Sequence, residues 1–160
     1  LVLAGAPGID PAYYQQYIGS AVPIKIIFGQ TYRLLQQAKA ALVTSGTATL
    51  ETALFRVPQT VCYYTPVGKL ISFLRRHILK VKYISLVNLV ANKEVVRELV
   101  ADTMTVANVR SELNALLNDE TYRGQMLKEY DRMIKILGPA GASHQAASKM
   151  IELLSVRKGK

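Results

Sequence analysis

The stretch Val43-Thr44-Ser45-Gly46-Thr47-Ala48-Thr49-Leu50-Glu51 decides the fold. A short apolar run ends in small hydroxyl residues and a glycine, and a helix-forming segment begins at once. This is a strand delivering its carboxyl end to a helix N-terminus, the place where open α/β sheets bind ligands. The first turn of such a helix offers unpaired backbone N–H groups and a positive dipole end to a phosphate. Gly46 lets a ligand approach the backbone closely, and Ser45 and Thr47 add hydroxyl donors. Glu51 lies one turn after Thr47 on the same face, where a carboxylate can accept two hydrogen bonds from vicinal ribose hydroxyls. The residues alone also allow a plainer reading, an ordinary Ser/Thr-capped helix start with Glu51 in solvent.

Outward from this turn, β-rich runs alternate with helical segments. Strands are expected at residues 1–4, 24–28, 41–44, 60–64 and 83–86. Helices are expected at 11–18, 31–38, 47–55 and 66–79, with Asp10-Pro11 and Thr65-Pro66 as N-cap and first-turn pairs. The strands are continuous apolar runs rather than alternating ones, which indicates a parallel sheet covered on both faces. The second half reads as helical. Asn92 is expected to cap a short helix through Val100, Thr105 the next, and a third starts near Asp119. Gly138-Pro139 breaks the chain. A last helix places Ala146, Ala147, Met150, Ile151 and Leu154 on one stripe. The whole is a doubly wound α/β domain over 1–155 with a helical C-terminal extension, and 156–160 form a frayed basic tail.

The 160 residues are half hydrophobic, 19% charged, and carry a formal net charge of +9. That suffices for one domain with a substantial core and favours anionic partners. Cys62 is the only cysteine, and the two histidines, His77 and His144, have no second ligand nearby in sequence. Neither a disulfide framework nor a zinc site is expected. No uncharged apolar run approaches the roughly 18 residues of a membrane span. These features suit a reducing, cytoplasmic compartment. The apolar start at Leu1 without an initiator Met reads as a cut through a longer protein, not as a signal peptide, because no basic segment precedes it.

Ser45-Gly46-Thr47-Ala48-Thr49-Leu50-Glu51, then Pro58 and Val61-Cys62-Tyr63, resemble the donor-nucleotide segment of lipid-A-disaccharide synthases. The similarity continues through Lys82-Tyr83-Ile84-Ser85-Leu86-Val87-Asn88-Leu89-Val90-Ala91 and Glu94-Val95-Val96-Arg97-Glu98-Leu99. The family typically reads "SGTAALE", then "VKxxYxSLPNLLA", then "VxELL". The chain departs from that pattern at Val87, where the family has proline, and at Val100-Ala101, where a glutamine is usual. The family's amino-terminal acceptor domain and its "LPGSR" phosphate loop have no counterpart in these residues.

The resemblance implies the Rossmann-like, donor-binding half of a GT-B glycosyltransferase. The full enzyme would join UDP-2,3-diacylglucosamine to 2,3-diacylglucosamine 1-phosphate and release UDP. No cofactor or metal is implied, since helix dipole and backbone N–H groups would stabilise the leaving diphosphate. By analogy Ser45, Gly46, Thr47 and Ala48 face the diphosphate, Glu51 the ribose, Asn88 the interdomain cleft, and the Phe28-Gly29-Gln30 turn the uracil edge. No catalytic residue is assigned within the chain, which is expected to be inactive by itself. The implied partners are the UDP-sugar donor, the acylated glucosamine phosphate acceptor, the acceptor domain and a membrane surface. Homo-oligomerisation stays open and no nucleic acid is implied.

Residues 66–82, PVGKLISFLRRHILKVK, suit a basic amphipathic helix. Lys69, Phe73, Arg76 and Lys80 share a face that could lie on an anionic membrane, placing the protein peripherally at the inner membrane. The same pattern fits a packing helix with a solvated basic face. Two other classes compete for the whole chain: the donor domain of another GT-B UDP-sugar transferase or epimerase, and a noncatalytic basic α/β module that binds nucleic acid. Residues 83–91 argue against the first, and the spread of charge without a recognised motif argues against the second.

Overall fold

Proline-led caps and short apolar runs build the first half of the fold. In the computed structural model, which describes residues 1–19, 22–44, 46–64, 82–139 and 141–157, β1 is Val2–Gly5, α1 Pro11–Gln15, β2 Lys25–Phe28, α2 Thr31–Leu35, β3 Ala41–Val43, α3 Gly46–Leu54 and β4 Gln59–Tyr63. Asp10 caps α1 as its place before Pro11 predicts, its carboxylate accepting the Ala12 N–H at 2.7 Å. Pro11 takes the first helical position, where a missing N–H is not needed.

The second half comprises α4 Leu86–Ala91, β5 Glu98–Val100, a 3-10 turn Ala101–Thr103, α5 Val106–Asn118, α6 Glu120–Leu137 and α7 Ala142–Arg157. Thr105 and Asp119 cap α5 and α6 through bonds from the Asn108 and Tyr122 N–H groups. Gly138, at φ +76, separates α6 from α7.

Every strand pairing among the described residues is parallel, as the continuous apolar runs predict. The ladders fall into two sheets, β1-β2 and β3-β4-β5. β4 is the middle strand of its sheet, and Gln59, Thr60, Val61 and Cys62 are all buried. Among the described residues the expectation of two covered faces fails on β1 and β3, where Val2 and Leu42 are exposed. Cys62 is buried, and burial pushes its thiol up, as expected of inert core.

Two sequence expectations are corrected. Residues 83–86 are not a strand, despite their β-prone side chains. The N–H groups of Ile84 and Ser85 go to the Glu98 carboxylate, so no ladder claims them, and Ser85 caps α4 instead. Asn92 does not open a helix. It closes α4 in a left-handed conformation, φ 50, its N–H bonding the Asn88 and Leu89 carbonyls. The chain then enters β5 in the stretch expected to be helical.

The core lies between α3, α4, α5 and α6 and the β3-β4-β5 sheet. Its buried cluster is Ala53, Val61, Val87, Val95, Val96, Leu116, Met126, Tyr130 and Met133. Thr49 and Thr52 share the buried side of α3. Their hydroxyls donate to the Gly46 and Ala48 carbonyls, which removes the cost of burying them unpaired. The stripe expected on the last helix exists, but it is uncovered: Met150, Ile151 and Leu154 are all exposed.

Candidate functional site

β3 ends at Val43, and α3 begins at Gly46, so the strand-to-helix turn stands where the pattern places it. Pairing of β3 with β4 drives Val43 into the core and carries the turn to the carboxyl end of the sheet. Thr47 is exposed, and Gly46 and Ala48 are half-buried. A Cβ built on Gly46 would meet, among the described residues, only the Tyr63 hydroxyl oxygen, at a van der Waals distance of 3.9 Å. Partial burial, and then the nearby Glu98 carboxylate, hold the Tyr63 phenol above its usual range. It stays a neutral hydrogen-bond donor beside the helix start. Ser45 lies outside the described residues, as do Lys69, Phe73, Arg76 and Lys80 and the helix expected at 66–79.

Glu51 is half-buried on α3, one turn beyond Thr47. The Tyr32 hydroxyl donates to its Oε1 at 3.2 Å. That bond comes from the first turn of α2, directly after the Phe28-Gly29-Gln30 turn, and so links the two segments expected at uracil and ribose. Gly29 has φ +65, a conformation that strains any side chain. Gln30 is exposed, and its Oε1 accepts a bond from Arg33 at 3.3 Å. Phe28 turns its ring to the scaffold. A Cβ on Gly5 would stand 2.3 Å from its Cε1, so only glycine fits opposite it on β1, and Tyr14 packs edge-on against the same ring at 5.9 Å.

Asn88 requires a correction. Expected beside the cleft, it is fully buried, and its amide is committed inside the protein. Nδ2 donates to the Val96 carbonyl at 2.8 Å and to Glu98 Oε1 at 2.9 Å. Oδ1 accepts the N–H groups of Val95 at 2.7 Å and Val96 at 3.0 Å. Two donors and two acceptor sites are thereby used, the capacity of a primary amide. Glu98 completes the network by also accepting the Ser85 N–H at 2.9 Å and the Ser85 hydroxyl at 2.8 Å. Asn88 holds the connection between α4 and β5 and has no free group for a ligand.

Tyr32 and Tyr63 stand beside the candidate site and carry no expectation from the sequence. Tyr63 had a signal, because it ends the strand next to β3, and an aromatic hydroxyl there reaches the neighbouring turn. Tyr32 and Glu51 are 19 residues apart, with no periodicity to connect them. No cluster of three His, Cys, Asp or Glu side chains that could hold a metal occurs among the described residues. None of their helices is long and apolar enough to cross a membrane.

The chain is similar to known proteins over most of its length. The family profile described as Lipid-A-disaccharide synthetase matches residues 13–151. A lipid-A-disaccharide synthase of Psychromonas ingrahamii is 38% identical over 144 residues, covering 90% of this chain and 36% of the relative. One from Syntrophus aciditrophicus is 34% identical over 155 residues, covering 96% and 40%. A Pseudomonas putida protein of the same name is 32% identical over 157 residues, covering 98% and 40%. The chain thus spans well under half the length of these relatives.

Proposed function

The chain belongs to the lipid-A-disaccharide synthetase family, and from that premise we propose that it is the donor-nucleotide-binding part of a glycosyltransferase in lipid A biosynthesis. The reaction proposed for the whole enzyme joins UDP-2,3-diacylglucosamine to 2,3-diacylglucosamine 1-phosphate and releases UDP. The observation that carries this reading is the strand-to-helix turn at Gly46, which starts a helix of 9 residues, with Glu51 one turn after Thr47. Amides at the helix start would hold the diphosphate, where negative charge accumulates on the leaving group as the glycosidic bond breaks. Glu51 would accept the ribose hydroxyls. Groups that act on the acceptor would come from the remainder of the enzyme, so turnover needs both sides of a cleft.

Titration calorimetry with UDP tests the site. Glu51→Gln keeps the shape but loses the charge and one acceptor role. It should weaken UDP by roughly tenfold, about 1.4 kcal/mol, while the unfolding midpoint stays put. Equal affinity of parent and variant would remove Glu51 from the site.

The acylated acceptor and an anionic inner-membrane surface are the other proposed partners. Support for the membrane comes from the sequence spacing of Lys69, Phe73, Arg76 and Lys80, which in a helix would put them on one face. Reversing the charge of Arg76 and Lys80 should reduce co-sedimentation with anionic vesicles, most of all at low salt. Unchanged sedimentation would leave the basic face merely solvated.

A further inference from the structure

Tyr32 belongs to none of the expected motifs, yet it is fastened at both ends. Its ring stacks on Phe55, with centroids 5.3 Å apart and planes 27° from parallel. Its hydroxyl donates to Glu51 Oε1 at 3.2 Å. Phe55 stands one helical turn after Glu51, and its N–H bonds the Glu51 carbonyl at 3.0 Å. Ring and carboxylate therefore share one face of α3, and Tyr32 spans both. Gly29, at φ +65, stands just before Gln30 and the start of α2.

This arrangement has an energetic consequence for a ligand. A glutamate on a helix surface samples several rotamers, and fixing them costs side-chain entropy when the ligand binds. A tyrosine already held by stacking can set that rotamer beforehand, so less is lost on binding. The bond uses one acceptor site of the carboxylate, which has further lone pairs to offer a ligand. The Glu51 carboxylate also holds the Tyr32 phenol above its usual range, through the hydrogen bond first and the charge second, so the donor persists at neutral pH.

We propose that Tyr32 is a positioning residue that presents the Glu51 carboxylate to the vicinal hydroxyls of a bound nucleotide's ribose. The inference rests on the donor site proposed above. The test is a titration of UDP and 2′-deoxyuridine diphosphate against the chain, Tyr32→Phe, Glu51→Gln and the double variant. Phenylalanine keeps the stacking on Phe55 and deletes only the hydroxyl. Tyr32→Phe should weaken UDP about fivefold and the deoxy nucleotide less. In the Glu51→Gln background the same change should have less than about a twofold effect, because coupled residues are non-additive. The inference falls if Tyr32→Phe binds UDP as well as the parent or better, or if its loss is the same with and without Glu51. UDP binding that depends on Glu51 but not on Tyr32 removes the inference alone. If the parent does not bind UDP, or Glu51→Gln leaves its affinity unchanged, the donor-site reading falls and takes the inference with it.

Discussion

Asn88→Ala is expected to lower the unfolding free energy by about 3–5 kcal/mol, since each buried group left without its partner costs roughly 1–3 kcal/mol. The substitution strands the N–H groups of Val95 and Val96 and the Val96 carbonyl, all in residues that are buried. It also takes one of the Glu98 hydrogen bonds. Water cannot readily replace them, because Asn88 is completely covered. Asn88→Asp tests the same network differently: it keeps the shape, loses both Nδ2 bonds and sets a second carboxylate against Glu98. It too should unfold at lower urea. The outcome separates the two roles considered for this residue. A variant with unchanged stability but impaired UDP binding would return Asn88 to the cleft as a ligand, against the placement described above.

Tyr130→Ala should cost a similar amount, about 3–5 kcal/mol for removing a large buried aromatic. The ring is fully buried in the cluster with Met126 and Met133. Its hydroxyl donates to the Val57 carbonyl at 3.3 Å and accepts the Gln59 amide at 3.3 Å. Tyr130→Phe keeps the ring and should lose only about 1–2 kcal/mol. Burial, the first cause, raises the phenol well above its usual value, so the folded chain keeps the proton at pH values where the unfolded chain releases it. The contribution is fully present below the ordinary phenol pKa of about 10 and declines as pH rises from there toward the folded value. Urea midpoints measured between neutral pH and pH about 11 should therefore fall, and less steeply for Tyr130→Phe. Some slope should remain, because burial and Glu112 raise the Tyr122 phenol in the same direction. A variant with the parent's alkaline slope would show that Tyr130 ionises freely in the folded state.

Part of the site was legible because its signals are local. Thr47 at the helix start and Glu51 one helical turn later lie within one short stretch, and helix geometry alone puts them on one side. Tyr32 was not legible, because its bond to Glu51 depends on how α2 lies against α3. Asn88 was misplaced for a related reason. Its place beside the cleft came from the family resemblance, and only the positions of Val95, Val96 and Glu98 show that the fold itself consumes its hydrogen bonds.

Local sequence set the parallel α/β class, the strand-to-helix turn at residues 43–51, the caps at Asp10 and Thr105, the helix start near Asp119 and the break at Gly138. Caps, breakers and apolar runs act over a few residues, so their outcome is set by chain neighbours. Tertiary structure alone decided that residues 83–86 form no strand, that Asn92 ends a helix and that β5 lies at Glu98–Val100. A strand exists only where its N–H and C=O groups find partners. Here the Glu98 carboxylate, 14 residues from Ile84, takes the N–H groups that a strand would have needed.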